Sequence, residues 1–148
     1  MADKNQDQVI KELCEKDPRY TLDAYIFVND ALDFAQRMGL ASMKEAFGED
    51  DGEQSDHISG GDLCRLAVSY AVALYGLLAK QVLAKFGVHT TDDIGNIVYN
   101  LIDEGFVDQS PEDSRSDFND VFDLGEELEK HFKFQYEKKL RKEKEEED

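Results

Sequence analysis

The apolar positions in the first forty residues repeat with helical spacing. Residues 7–16 (DQVIKELCEK) are predicted to form a short helix that ends before Pro18, because the residue before a proline avoids helical backbone angles. The apolar side of this helix holds Val9, Ile10, Leu13 and Cys14. A longer helix over residues 21–38 confines its polar side chains to a narrow strip, so we expect it to be covered on two sides.

Capping signals mark the helices in the middle of the chain. Ser59, followed by Gly-Gly-Asp, predicts a helix start, since the serine oxygen can accept a hydrogen bond from the third amide of the helix. Gly76 is expected to divide this apolar segment from a shorter helix that closes at Gly87. Thr90 opens a third helix. The core face of that helix consists of Ile94, Ile97, Val98, Leu101 and Ile102.

Two short apolar stretches follow this third helix, Phe106-Val107 and residues 118–122 (FNDVF), and a polar loop separates them. They predict a two-stranded β-hairpin. The order helix, glycine-containing turn, helix and hairpin is that of a winged helix, which places a winged-helix-like unit at about residues 60–123. The predicted fold class is therefore mainly α, with one helical domain over residues 1–125 that contains this unit, followed by a protruding C-terminal helix.

The last segment, residues 126–148, predicts a charged helix and tail that are partly disordered. Apolar residues recur every four positions here, and at 3.6 residues per turn such a stripe drifts by about 40° per step and leaves any single packing face. The end of the chain is therefore expected to project into solvent. The candidate helix-docking residues, which would cover the domain itself or a second copy of the chain, are Phe132, Tyr136 and Leu140.

The composition, with 41% hydrophobic and 34% charged residues among 148, is that of one globular domain with well-solvated flanks. The formal charge of −17 lies mainly in the folded part, because residues 126–148 contain nine acids and seven bases and residues 1–125 carry the remaining −15. Such a surface repels nucleic acid and anionic lipid. It attracts basic partners at moderate salt.

Cysteine usage and hydropathy predict where the protein works. Cys14 and Cys64 form no CxxC arrangement, and the opening residues do not resemble a secretory signal. The longest uncharged apolar run, residues 66–79, is shorter than the roughly 20 residues of a membrane span. These features predict a cytoplasmic protein with no membrane contact.

The residues form no recognisable metal or catalytic constellation. Counted from Asp51, the acidic stretch at 48–57 lacks the Gly at position six and the Glu at position twelve that a calcium loop needs. The cysteines and histidines lack zinc-ligand spacing, and Ser59-Gly-Gly is too short for a phosphate loop. We therefore predict no cofactor and no enzymatic activity. A structural ion-pair loop is assigned instead to Asp113, Arg115 and Asp117.

The winged-helix outline raises the question of nucleic-acid binding. Residues 76–125 contain three bases and ten acids, whereas a duplex binder engages several phosphates with Lys or Arg. The helix face that would meet the duplex consists of Asp92, Asp93, Asn96, Asn100 and Asp103. Nucleic acid is therefore disfavoured as a partner. This face is instead a solvated helix surface, a docking face for a protein partner or a mimic of DNA charge.

Three sequence blocks stand out along the chain: DPRYTLDAYIFVNDALDFA (17–35), HISGGDL (57–63) and TTDDIGNIVYNLIDEGFVDQSPEDSRSDF (90–118). In this order they resemble an uncharacterised bacterial family found mainly in Planctomycetes and Verrucomicrobia. The resemblance covers roughly residues 7–125 and implies a small soluble bacterial protein, with no activity or site residue to transfer. The tail after about Lys138 lies outside the pattern.

These observations lead to one function hypothesis and three alternatives. The hypothesis is a non-enzymatic, acidic protein-interaction module whose partner is a basic or amphipathic protein. The alternatives are a winged-helix regulator linked to nucleic acid, a mimic of DNA charge, and an enzyme assembled from the acidic loop at 48–57 and Arg115, for which the sequence suggests no mechanism. Association of two copies through the C-terminal helix is compatible with the hypothesis.

Overall fold

A computed structural model of the chain describes residues 6–47, 59–107 and 114–146. These residues form six α-helices and two short 3-10 helices, with no β-strand among them. The mainly α fold is therefore confirmed. The helices are α1 (Gln6–Lys16), α2 (Leu22–Phe47), α3 (Gly60–Tyr75), the 3-10 helix Gly76–Leu78, α4 (Ala79–Phe86), α5 (Thr91–Asp103), the 3-10 helix Arg115–Phe118 and α6 (Leu124–Glu146).

Side-chain caps begin three of the helices where the sequence predicted them. The Thr21 hydroxyl accepts a hydrogen bond from the Ala24 amide at the start of α2 (3.2 Å). Ser59 caps α3 in the same way, and Thr90 forms a reciprocal capping box with Asp93 at the start of α5. Each such cap contributes about 1 kcal/mol, because it satisfies an amide that has no partner within the helix.

Two glycines with left-handed or related backbone angles end the central helices. Gly76 has φ +56° and ends α3, so that α3 and α4 are two separate helices joined by a 3-10 turn. Gly87 has φ +95° and ends α4, and any Cβ at this position would collide with the carbonyl oxygen of Arg19. A side chain is therefore excluded at Gly87 by both strain and contact.

The core is centred on α3, which packs against α2, α4, α5 and α6. Among the completely buried side chains, Tyr25 comes from α2, Cys64 and Ala71 from α3, and Ile94 and Ile97 from α5. These five positions agree with the apolar faces that the sequence predicts. The core residues of α6 lie at its beginning, where Leu124 and Leu128 are each 3% exposed.

One helical run in the described part of the chain, Gly60–Phe86, has the length and hydropathy of a membrane-spanning segment. The run is not one straight helix, because Gly76 breaks it. Eight residues of α3 are buried within the protein, including Leu63, Leu66 and Val68. Burial of this kind is also the reason that a core helix is rich in apolar residues.

The predicted β-hairpin does not form in the described residues, and this corrects the winged-helix interpretation. Phe106 and Val107 lie in a turn after α5, and the segment from Arg115 forms a 3-10 helix followed by irregular chain. The hydroxyl of Thr91 explains the difference. It donates to the Phe118 carbonyl (2.8 Å) and accepts from the Val121 amide (3.1 Å), and so satisfies backbone groups that a second strand would otherwise pair.

The close contact between α5 and residue 118 gives a stability prediction. A Cβ at Gly95 would lie 2.6 Å from Cβ and 2.7 Å from Cγ of Phe118. Although helix propensity favours alanine over glycine by about 1 kcal/mol, we expect Gly95→Ala to reduce the free energy of unfolding by about 1–3 kcal/mol through overpacking. Urea unfolding followed by circular dichroism measures this change.

Gly61→Ala is the matched control, because a Cβ at Gly61 meets its nearest neighbours at 3.9 Å, an ordinary contact distance. It should leave stability unchanged or slightly higher. Equal effects of Gly95→Ala and Gly61→Ala would contradict the packing described for α5.

Candidate functional site

The structure divides the five residues that the sequence placed on one acidic face of α5. Asp92 and Asp103 are exposed to solvent. The other three, Asp93, Asn96 and Asn100, are partly buried where α5 meets the connection between α1 and α2. The face is therefore not one continuous acidic surface, and its role as a partner-binding face stays a prediction for the two exposed aspartates.

The partly buried residues of α5 belong to a polar cluster that we call the linker network. Its members are Asp17, Tyr20, Tyr25, Asp93, Asn96 and Asn100. The Tyr20 hydroxyl donates to Asp93 Oδ1 (2.7 Å) and accepts from Asn96 Nδ2 (2.9 Å). Asn100 Nδ2 donates to Asp17 Oδ2 (3.0 Å) and to the Tyr25 hydroxyl (3.1 Å). These hydrogen bonds fasten α5 to the α1–α2 connection.

An ion pair at the edge of the linker network and burial within it shift the pKa values of two of its members, Asp17 and Tyr20. Arg19 contacts both carboxylate oxygens of Asp17, at 2.8 Å and 2.7 Å, and its guanidinium lies 5.1 Å from the centre of the Tyr20 ring. The hydrogen bond from Arg19, helped by Asn100 and opposed by burial, lowers the pKa of Asp17 to about 2. Burial, helped by Asp93, raises the pKa of Tyr20 to about 12.

The residues of the predicted ion-pair loop that the structure describes, Arg115 and Asp117, contact different partners. Asp113 lies outside the described residues. Arg115 donates to Asn96 Oδ1 (2.6 Å), and its guanidinium lies 5.8 Å from the centre of the Tyr99 ring. Asp117 accepts from the Ser114 amide (3.0 Å) and so caps the 3-10 helix. Both described residues therefore have structural contacts. Asp117 stabilises its own 3-10 helix, whereas Arg115 contacts α5.

The three candidate docking residues lie on α6, where the helix leaves the core. Phe132 is partly buried, whereas Tyr136 is 54% and Leu140 is 41% exposed. Every residue from 133 to 146 is exposed in the described structure. α6 therefore continues beyond the core as a helix as far as Glu146, and the prediction of a partly disordered tail that projects into solvent stays a prediction.

A groove of about 690 Å³ separates the end of α3 from α6. We call it the α6 groove. Its α3 side consists of Ser69, Val72, Ala73 and Gly76, and its α6 side consists of His131, Phe132, Gln135, Tyr136, Lys138, Lys139 and Lys142. Two of the three predicted docking residues, Phe132 and Tyr136, are thus brought together in one concave surface.

The α6 groove has an apolar floor. The rings of Phe132 and Tyr136 stack with centroids 6.0 Å apart, and Val72 faces the same space from α3. Gly76 comes close to Phe132, since a Cβ at Gly76 would lie 3.9 Å from the Phe132 ring. Burial lowers the pKa of the His131 side chain in the same wall, which favours its neutral form near pH 7.

Two exposed leucines directly follow Gly76 in the sequence. Leu77 is 70% exposed and Leu78 is 59% exposed, and both belong to the 3-10 helix that contacts α6. Single exposed leucines are ordinary, but a cluster beside a concave apolar surface is typical of interaction sites. This cluster could not be identified from the sequence, which predicts only that Leu77 begins the short helix that closes at Gly87.

The remaining candidate chemistry does not converge in the described structure. Among residues 6–47, 59–107 and 114–146, no three His, Cys, Asp or Glu side chains form a group able to hold a metal ion. Cys64 is fully buried, and burial raises the pKa of its thiol to about 12. A thiol in this state is poorly nucleophilic.

Comparison of the chain with protein-family models, curated protein sequences and solved structures finds no significant match. The α6 groove and the linker network differ in what they do within the chain. The linker network has an evident structural task, since its hydrogen bonds join helices that are distant in sequence. The α6 groove has no such task within the described chain.

The lowered pKa of Asp17 predicts a pH-dependent stability. Because this pKa is lower in the folded protein than its ordinary value of 3.8, the carboxylate stabilises the fold above about pH 4 and loses this effect as the pH falls towards 2. We expect Asp17→Asn to reduce the free energy of unfolding by about 1 kcal/mol at pH 6. The difference from the original protein should shrink between pH 4 and pH 2.

Urea unfolding at several pH values measures this effect. Asp30→Asn, which removes an exposed carboxylate from α2, is the matched control and should stay within about 0.5 kcal/mol of the original protein. A constant deficit of Asp17→Asn across the whole pH range would show that the Asp17–Arg19 pair does not stabilise the fold in this way.

Proposed function

We propose that this chain is a non-enzymatic protein-interaction module that binds an amphipathic protein partner in the α6 groove. The observation that carries the proposal is the exposure of α6 from residue 133 to residue 146, with Tyr136 and Leu140 on one stripe of that helix. Full burial of a leucine side chain contributes about 1.5–3 kcal/mol relative to exposure. A partner that covers this stripe would obtain a substantial part of its binding energy there.

Helix physics supports the same proposal. An isolated helix of fewer than about 12–15 residues is marginal in water, because nucleation is costly and packing supplies most helical stability. The exposed part of α6 has about this length, and every residue in it is exposed in the described structure. Docking of a partner would therefore stabilise the helix as well as bury its apolar side chains.

The structure of α5 supports a protein partner over nucleic acid. The residues that would read a duplex, Asn96 and Asn100, hydrogen bond to Tyr20, Tyr25 and Asp17. Insertion of α5 into a major groove would require these contacts to break. The acidic body adds repulsion from the phosphates of a duplex.

The proposed location is the bacterial cytoplasm. It is supported by the resemblance of three sequence blocks to a bacterial family and by the absence of a disulfide between the two cysteines, since Cys14 and Cys64 are both free thiols. Cysteines that form no disulfide are typical of proteins in reducing compartments.

Tyr136 and Phe134 form a matched pair that tests the proposal. They are 54% and 53% exposed on the same helix, but Tyr136 lines the α6 groove and Phe134 does not. The tagged full-length chain is used to recover proteins from its native cells. We expect one protein to be recovered with the original chain and with Phe134→Ala, and its yield to fall at least about tenfold with Tyr136→Ala.

Circular dichroism of both variants confirms that α6 is intact, and alanine preserves the helix because of its high helix propensity. Recovery of the same protein by all three chains would place the binding surface outside the α6 groove. Recovery of no protein by any of them would oppose the interaction module itself.

A further inference from the structure

The positive charges of α6 are concentrated between residues 130 and 144, although the helix as a whole has seven acidic and seven basic residues. Residues 130–144 contain seven Lys or Arg and two Glu, a formal charge of +5, in a protein with a total of −17. The total charge of the chain has little effect on a ligand bound at this segment, because interactions between exposed charges are screened beyond about 8 Å at physiological salt. A ligand in contact with this part of α6 therefore meets a positive surface.

The lysines at the start of α6 are partly neutralised, and those at the groove are not. Lys130 pairs with Glu127 (3.7 Å), and Lys80 of α4 pairs with Glu129 (3.8 Å). The three lysines of the groove, at positions 138, 139 and 142, form no salt bridge with the residues that the structure describes. They are available to an acidic ligand.

These three lysines lie beside the apolar floor of the α6 groove, which Val72, Phe132 and Tyr136 form. A surface that combines an apolar strip with charges of one sign is complementary to a helix that carries apolar residues on one side and the opposite charge beside them. The groove also lies between two helices, which is the usual setting for recognition of a third helix.

We propose that the α6 groove binds an acidic amphipathic helix of a partner protein, an inference that rests on the proposed function. Its apolar side chains contact Phe132 and Tyr136, and its Glu or Asp side chains pair with Lys138, Lys139 and Lys142. A basic helix in the same place would bring like charges together, which is unfavourable. Two copies that face each other through the α6 groove would likewise bring these lysines together.

Synthetic helical peptides test this inference on the full-length chain. One labelled peptide carries Leu on one face and Glu beside it, a second replaces each Glu with Lys, and a third has the composition of the first with its apolar face scrambled. Fluorescence anisotropy measures their affinities. We expect the first peptide to bind at least about tenfold more tightly than either of the others, and its affinity to fall as salt rises.

Two triple variants with the same change of charge locate the binding site. Lys138→Gln, Lys139→Gln and Lys142→Gln together should weaken binding of the acidic peptide by about tenfold. The control combines Lys130→Gln, Lys133→Gln and Lys144→Gln, none of which lines the α6 groove, and should change the affinity by less than about threefold. Equal losses in both variants would overturn the inference, because they would show a general effect of charge.

Three other outcomes would also overturn it. Tighter binding of the basic peptide would reverse the sign of the partner. If duplex DNA displaced the labelled acidic peptide at concentrations as low as those at which the unlabelled peptide does, the lysines would be assigned to phosphate contact. A dimer in sedimentation velocity that Tyr136→Ala converts to monomer would make a second copy the occupant. Each leaves the recovery experiment with Tyr136 and Phe134 unaffected, so failure of this inference and failure of the interaction module are distinguishable.

Discussion

The rest of the structure depends on the way α5 is enclosed from two directions. On one side, the hydroxyl of Thr91 and the bare backbone of Gly95 hold the segment around Phe118 against the helix. On the other side, the linker network joins the helix to the α1–α2 connection through Tyr20 and Asp17. Buried polar groups need hydrogen-bond partners, and here the two sides of α5 supply partners to two different parts of the chain. This arrangement holds the α1–α2 connection and residues 114–121 against opposite sides of α5.

Enclosure of α5 determines where an external partner finds open surface. The amide side chains of Asn96 and Asn100 are occupied inside the protein, and the acidic side chains that stay exposed on α5 are few. In contrast, α6 contributes Leu128 to the core and then continues beyond it, so that Tyr136 and the lysines that follow are accessible. The same helix is thus a structural element at its beginning and an exposed element at its end. Three lysines, Lys138, Lys139 and Lys142, line the α6 groove beside its apolar floor.

Local signals in the sequence were sufficient for most helix boundaries. Ser59, Thr90 and Gly87 each act through contacts within a few residues, which explains why their positions could be predicted. The hairpin prediction was wrong for the opposite reason. Short apolar stretches suit either a strand or an irregular segment that packs on a helix. Here the irregular segment forms, because its backbone hydrogen bonds to Thr91, 27 residues away from Phe118.

The sequence by itself determined the set of helices, the acidic character of the chain, the amphipathic pattern of α6 and the exposure of its end. These properties follow from composition and from spacing over a few turns. Only the tertiary structure decided that Asp93, Asn96 and Asn100 face inward and that Phe132 and Tyr136 share a groove with α3. A polar residue on a helix face looks the same in a sequence whether it meets water or a hydroxyl 76 residues away, as Asn96 meets that of Tyr20. The partner that satisfies it is a property of the fold.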